Sequence, residues 1–301
     1  MIPKVLHLCF GMSEDFGGKP WSLVHYVCVR SAIEHIRPTD AFLYFEFEPQ
    51  GPWWDLARPL VTPVRIEAPR AIFGNPLVHP AHRADVVRLE KLLETGGIYL
   101  DADIFVHRDF DDLLRHVVVL GVEQAGRRPQ LCNAVILAAP GAPFLKRWHA
   151  AYRSFNSVGR DANWNRHSVQ VPSRLAQEFP AEITVLPPGS FFRASWEPAG
   201  IARIFNSVEP VVADNSYATH LWETFAWDGY LRGLTPGRVR LVESNFHRWS
   251  RPYLQGLSDD CGATPPSAAT GTAPYRLVTA CKRLLKFVGT TLPLMFATGF
   301  P

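Results

Sequence analysis

The sequence predicts an α/β fold with a mostly parallel central sheet flanked by helices. Short apolar runs alternate with helical patterns along most of the chain, the rhythm of strand–helix–strand units. A helical pattern stops at Gly96-Gly97, and the run Ile98-Tyr99-Leu100 after it reads as a buried strand. That strand runs into Asp101-Ala102-Asp103, and two carboxylates at a buried strand end are costly unless something cationic sits there.

Taken in order, residues 5–10 read as the first buried strand. The loop from Gly11 to Pro20 follows, at the strand end where ligands sit in open α/β sheets. Residues 21–36 read as a helix on Leu23, Val24, Val27, Cys28 and Ala32, ended by Pro38. Residues 41–47 and 64–68 read as the second and third strands. Residues 82–94 form a helix with Val86, Leu89, Leu92 and Leu93 toward the core, and Gly96 falls where a C-cap glycine belongs. One strand is expected over 98–106 and two more over 117–123 and 133–138. Helices are expected over 142–155 and 173–178, with a strand at 183–186. Residues 187–215 look irregular, and 218–222 read as a last strand or turn.

Composition narrows the classes. The 301 residues, 47% hydrophobic and 20% charged, suit a globular chain with a sizeable core. A net charge of +3 is too small to imply nucleic-acid binding. Five cysteines without CxxC pairs or zinc-ligand spacing read as reduced, mostly buried thiols. Neither a signal-peptide pattern nor a run of about 18 apolar residues appears, so a cytoplasmic location is expected.

The domain expectation is a catalytic domain over 1–257, a flexible linker rich in Gly, Ala, Thr, Ser and Pro over 258–274, and a tail over 275–301. In the tail Arg276, Lys282, Arg283 and Lys286 lie among Leu277, Val278, Leu284, Leu285 and Val288. That basic amphipathic pattern fits peripheral contact with an anionic membrane, or equally a helix packed on the catalytic domain.

In an extended strand Asp101 and Asp103 point to one face. Converging carboxylates raise each other's pKa, and a hard divalent cation removes the conflict. The alternative is a strand end in which one aspartate pairs with Arg83 or Arg88. Asp85 and Arg88 are three apart on the preceding helix, so they share a face bordered by Leu89 and Leu92 and read as a half-buried, ligand-orienting pair. A surface pair of little worth is the bland reading. The spacing alone is not diagnostic, since Asp109-Phe110-Asp111 repeats it where a helix cap is expected.

The blocks Ile2-Pro3-Lys4-Val5-Leu6-His7, Ala84-Asp85-x-x-Arg88, Gly96 to Asp103, Asn133-Ala134 and His220-Leu221-Trp222 run in order across residues 2–250. Together they resemble the DXD-containing sugar-transferase family, with its GT-A-type Rossmann-like nucleotide-diphospho-sugar transferase fold. The resemblance implies a metal-dependent retaining glycosyltransferase. Such an enzyme moves a hexose from a UDP- or GDP-linked sugar to a glycan, lipid or other hydroxyl acceptor. It implies Asp101, Asp103 and His220 as metal ligands, with Asp103 the firmest, and Asp85 and Arg88 beside them in catalysis. His7, Phe10 and Gly11 would lie near the nucleotide base, Asn133 and Ala134 near the donor sugar, with Arg83, Tyr99 and Trp222 lining the donor site. An imidazole beside carboxylates suits Mn²⁺ better than Mg²⁺; the bland reading of His220 is a satisfied buried histidine. Phe10 stands where many relatives carry tryptophan, and residues 163–168 lack the Gly-Pro often seen there, so acceptor identity transfers least. Front-face attack and double displacement stay open, with Asp161, Glu223 and Asp228 as candidate carboxylates for the second route.

Two rival readings exist. A haloacid-dehalogenase-like phosphatase would use Asp101 as nucleophile, but that motif sits on a first strand and carries Thr or Val where this chain has Phe105. A non-enzymatic carbohydrate-binding protein would use some of the nine tryptophans, yet gives no reason for the acidic pair.

Overall fold

A computed structural model describes residues 1–123 and 130–263. The strands are β1 (Val5–Cys9), β2 (Asp40–Phe45), β3 (Thr62–Arg65), β4 (Ala71–Ile72), β5 (Asn75–Pro76), β6 (Gly97–Asp101), β7 (Ile104–Val106), β8 (Val118–Glu123), β9 (Gln130–Ala138), β10 (Thr184–Leu186) and β11 (Ala218–His220). The helices are α1 (Leu23–Ile36), α2 (Pro52–Ala57), α3 (Pro80–Thr95), α4 (Pro143–Ala151), α5 (Val171–Glu178), α6 (Pro198–Phe205), α7 (Glu223–Ala226), α8 (Pro236–Leu241) and α9 (Asn245–Ser250).

Seven strands form the central sheet in the order β10-β8-β9-β6-β1-β2-β3. Every pairing is parallel except those of β9, which runs antiparallel to both β6 and β8. The mostly parallel α/β sheet is the expected one. Alternation along β1 sends Leu6 and Leu8 to one face, under α1, α2, α6, α8 and α9, and Cys9 to the other, under α3, α4 and α5. Each fully buried leucine of α3, such as Leu92, contributes roughly 1.5–3 kcal/mol relative to exposure.

Local chemistry sets the helix ends near the site. The Ser22 backbone N–H donates to His25 Nδ1 at 3.0 Å, closing the first turn of α1. Pro80 opens α3, and Gly96 ends it at φ +66°. A Cβ at Gly96 would lie 2.7 Å from the Pro140 nitrogen and 2.8 Å from the Ala138 carbonyl oxygen, so only glycine fits.

Two expectations need correction. The single strand over 98–106 is two strands: β6 stays in the central sheet, the chain turns at Ala102-Asp103, and β7 pairs antiparallel with β11. The turn is held because the Leu221 amide donates to the Asp103 carbonyl oxygen at 3.0 Å. The stretch 187–215 is not wholly irregular, since it contains α6. Pro198 occupies its first turn, and Ile201, Ile204 and Phe205 recur on its buried face. Gly200 is required there, because a Cβ would meet the Ser195 carbonyl oxygen at 2.2 Å. The helices α8 and α9 also went unread.

Residues 258–263 turn back on the domain, where the Gly237 amide donates to the Asp259 carbonyl oxygen at 3.0 Å. The rest of the expected linker and the basic tail lie outside the described residues. No helix among the described residues is long and apolar enough to cross a membrane. Cys9, Cys28, Cys132 and Cys261 are free.

Candidate active site

The turn between β6 and β7 is the centre of the site. Asp101 closes β6, Asp103 sits on the turn, and His220 ends β11, which the pairing with β7 brings alongside. One donor atom from each of the three side chains lies within 4.8 Å of the others. His220 Nε2 is 3.2 Å from Asp103 Oδ2. The same oxygen accepts the Glu223 backbone N–H at 2.8 Å. That amide can point inward because Trp222 adopts a left-handed conformation, φ +56°, at the start of α7.

The electrostatics follow from burial and pairing. Burial raises the Asp103 carboxyl, but His220 and the Glu223 amide override it and bring it down to about 2. Burial lowers the His220 imidazole, and Asp103, with Asp101 and Glu123 behind it, overrides that and holds it above its ordinary value. Asp101 goes the other way: burial and the charge of Asp103 raise it against the pull of Arg88.

The residues present fit a divalent ion. His220 Nδ1 is buried without a partner, so the imidazole is not a satisfied core histidine. A 4.8 Å spread suits ligands that each sit about 2.0–2.6 Å from one centre. Two carboxylates and an imidazole form a donor set for Mn²⁺ more than for Mg²⁺.

On the flank toward α3, Arg88 is buried and joins the expected donor-orienting group. Its guanidinium donates to the Asn133 carbonyl oxygen at 2.8 Å, lies 3.0 Å from Asp101 and 3.3 Å from Asp85, and sits 4.3 Å from the Tyr99 ring centroid. Asn133 Nδ2 donates to Asp85 at 2.7 Å, and the Tyr99 hydroxyl to Asp101 at 2.7 Å. Asp85, Arg88, Tyr99, Asp101 and Asn133 are therefore one connected network, more buried than the half-buried pair expected. Tyr99 is 1% exposed, so it orients Asp101 rather than lining an open surface. Ala134, next to Asn133 on β9, is buried.

Other expected site residues are placed differently. His7 lies inside the sheet: Nε2 donates to the Gly96 carbonyl oxygen at 2.9 Å, and Nδ1 accepts the Tyr44 hydroxyl at 3.0 Å. Both nitrogens are used, which leaves none for a nucleotide base. The Arg83 guanidinium donates to the carbonyl oxygens of Leu77, Met12 and Val78, stapling the loop after β1 to the start of α3. Phe10 and Gly11 are at the end of β1, with Phe10 packed on Phe16, Trp21 and His25. Trp222 packs at a tilt of 36° against His220, centroids 3.9 Å apart, and its Nε1 donates to the Ala194 carbonyl oxygen at 2.8 Å.

The three carboxylates considered for double displacement are placed differently from one another, with Glu223 nearest the triad through its own amide on Asp103. Asp161 accepts the Val158 and Asn163 amides within its own loop, Glu223 faces His25 at 2.9 Å, and the Asp228 side chain is 88% exposed. Asp109, in the second acidic repeat, accepts the Asp111 amide at 3.1 Å, a turn-capping role. A carboxyl that the sequence reading missed does face the triad: Glu123, at the end of β8. Burial raises its pKa, and Cys132, His220 and Trp196 oppose that rise. Its signal was the same as that of Asp101, a single carboxylate closing an apolar strand. Behind Asp85, the buried atoms His82 Nδ1, Tyr152 Oη and His167 Nδ1 lack partners.

A model of the glycosyltransferase sugar-binding region containing the DXD motif matches residues 67–120, which include Asp85, Arg88, Asp101 and Asp103. The chain is 37% identical over 271 residues to Glucan organizing enzyme 1 of Cryptococcus neoformans var. grubii, covering 86% of this chain and 72% of that protein. The chain belongs to the DXD-containing glycosyltransferase family. It is a transferase enzyme built on the mostly parallel α/β sheet described above, and the phosphatase and lectin readings find no support. Among solved structures, the glycosyltransferase GlyE of Streptococcus pneumoniae aligns over 73% of this chain and 54% of its own, at 14% identity and a TM-score of 0.43. PaToxG glycosyltransferase aligns over 60% of this chain and 71% of its own, at 15% identity and a TM-score of 0.41.

Proposed function

We propose that this glycosyltransferase transfers a hexose from a UDP- or GDP-linked sugar to a hydroxyl acceptor, with a divalent metal, Mn²⁺ before Mg²⁺, and with retention of anomeric configuration. The observation that carries the reading is the meeting of Asp101, Asp103 and His220 donors within 4.8 Å of one another. A bound divalent ion supplies positive charge to a diphosphate leaving group. The chain's own residues supply the rest. Glu223 N–H and His220 fix the Asp103 carboxylate, so its charge is preorganised rather than reorganised during reaction. Arg88 and Tyr99 fix Asp101. Asp85 and Asn133 present a buried polar pair toward the donor sugar, and the unpartnered atoms of His82, Tyr152 and His167 lie behind them. The retaining route proposed is front-face attack, with the leaving phosphate taking the acceptor proton.

The test is a panel of UDP- and GDP-hexoses with Mn²⁺, read by hydrolysis, thermal shift and the anomeric configuration of the product. One donor is expected to raise the melting temperature, by about 2.7 kcal/mol of stabilisation at a hundred times its Kd. Chelator is expected to abolish both turnover and shift. Turnover that survives chelation, or an inverted product, overturns the corresponding part of the proposal.

A further inference from the structure

The donor flank of the triad is the Asp85–Arg88–Asn133 network. On its other flank two chain segments are tied together. The Trp222 indole donates to the Ala194 carbonyl oxygen at the base of the tie. Two residues past Ala194 and three past Trp222, Trp196 and Phe225 stack with centroids 5.5 Å apart and planes 25° from parallel.

This pair is not core. Trp196 is 37% exposed and Phe225 57%, whereas Phe192 and Trp222 beneath them are buried. An exposed aromatic surface is thus set close to the triad, because the helix that carries Phe225 begins at the very amide that holds Asp103. The residues on either side of Trp196, Ser195 and Glu197, line a separate hollow of about 510 Å³ with Arg193 and Arg203, which neither Trp196 nor Phe225 lines. An exposed, stacked aromatic face this close to the triad matches the C–H face of a pyranose ring, which packs on aromatics.

We propose that the Trp196–Phe225 stack is the platform for a sugar ring of the acceptor, which makes the acceptor a glycan. This rests on the transferase reading above. The position of the stack makes it an acceptor element, since the donor side of the triad is already taken by the Asp85 network. Its contribution is to hold the glycan so that one hydroxyl faces the donor sugar.

The test uses the full chain with gluco-, manno- and galacto-hexaoses as probes and glycerol as the polyol control. At least one hexaose is expected to quench tryptophan emission saturably, and glycerol is not. Trp196→Ala and Phe225→Ala are each expected to weaken hexaose binding about tenfold, and to lower the ratio of transfer to donor hydrolysis similarly, through acceptor KM more than kcat. Trp196→Phe is expected to recover most of the loss. A merely structural role would lower thermal stability in both alanine variants without changing hexaose binding. Wild-type binding in both, or no saturable binding by any hexaose, overturns the platform. Hexaose binding through these rings, in a chain that turns over no nucleotide sugar, would instead overturn the donor chemistry and leave the platform standing.

Discussion

Replacing Asp103 by Asn isolates charge from shape. The amide oxygen can still accept the Glu223 N–H, a 2.8 Å bond in the native protein, so the turn between β6 and β7 should survive. What is lost is the negative charge 3.2 Å from His220 and one anionic donor of the triad. The imidazole loses the largest of the charges that hold it above its ordinary value and sheds its proton more readily, so the stranded charge is reduced. The expected stability cost is therefore about 1–2 kcal/mol, the scale of one charge-assisted bond, rather than the 3–5 kcal/mol of a broken buried pair. The rate should fall much further. Losing one preorganised electrostatic group costs about 10²–10³, and losing a metal donor adds to that. The assay is nucleotide-sugar hydrolysis across a Mn²⁺ titration, with urea unfolding alongside. A folded Asp103→Asn enzyme within about threefold of native activity at low Mn²⁺ would refute the reasoning.

Other outcomes are expected. Arg88→Lys cannot reach Asn133, Asp101 and Asp85 together, so donor turnover should fall about 100-fold and stability by roughly 3 kcal/mol, read by kinetics and urea midpoint. Gly96→Ala should destabilise by more than 1 kcal/mol through the clash with Pro140 and Ala138, and an unchanged midpoint would contradict the left-handed cap. Burial lowers His167 and His247 to about 4, below the free value, so the unfolded chain takes up their protons first. Their contribution is complete above about pH 6.5 and is lost as pH falls toward 4, about 1–2 kcal/mol each by pH 5. Urea titrations at pH 7 and pH 5 would show it, and His247→Asn should flatten the difference.

The strands around the site were legible because a buried parallel strand is a short apolar run and needs no long-range information. The helix α3 and its glycine stop were legible for the same local reason. The break at Ala102-Asp103 was not, since nothing local separates a strand that continues from one that changes sheets; the decision is made by β11, more than 100 residues downstream. His7 and Arg83 show the opposite error. Their residue types suit ligand binding, yet the Gly96 carbonyl and Tyr44 hydroxyl satisfy His7 and backbone carbonyls hold Arg83, which only the packed chain reveals. Glu123 was passed over because a glutamate at a strand end reads as solvated, and its burial depends on the loop that carries Trp196. The helix α6 was hidden by Pro198 and Gly200, two residues that usually break helices and here start one and relieve a clash.

The two-stranded pairing of β7 with β11 has a thermodynamic consequence. His220 reaches Asp103 only through that pairing, so any opening that peels residues 218–222 away dismantles the ligand set. Linkage is reciprocal: an ion held by all three side chains must stabilise the pairing by the same free energy that the pairing lends to the ion. Hydrogen exchange at the Thr219, Leu221 and Glu223 amides therefore becomes a gauge of metal occupancy, slowing as Mn²⁺ loads even when no sugar is bound.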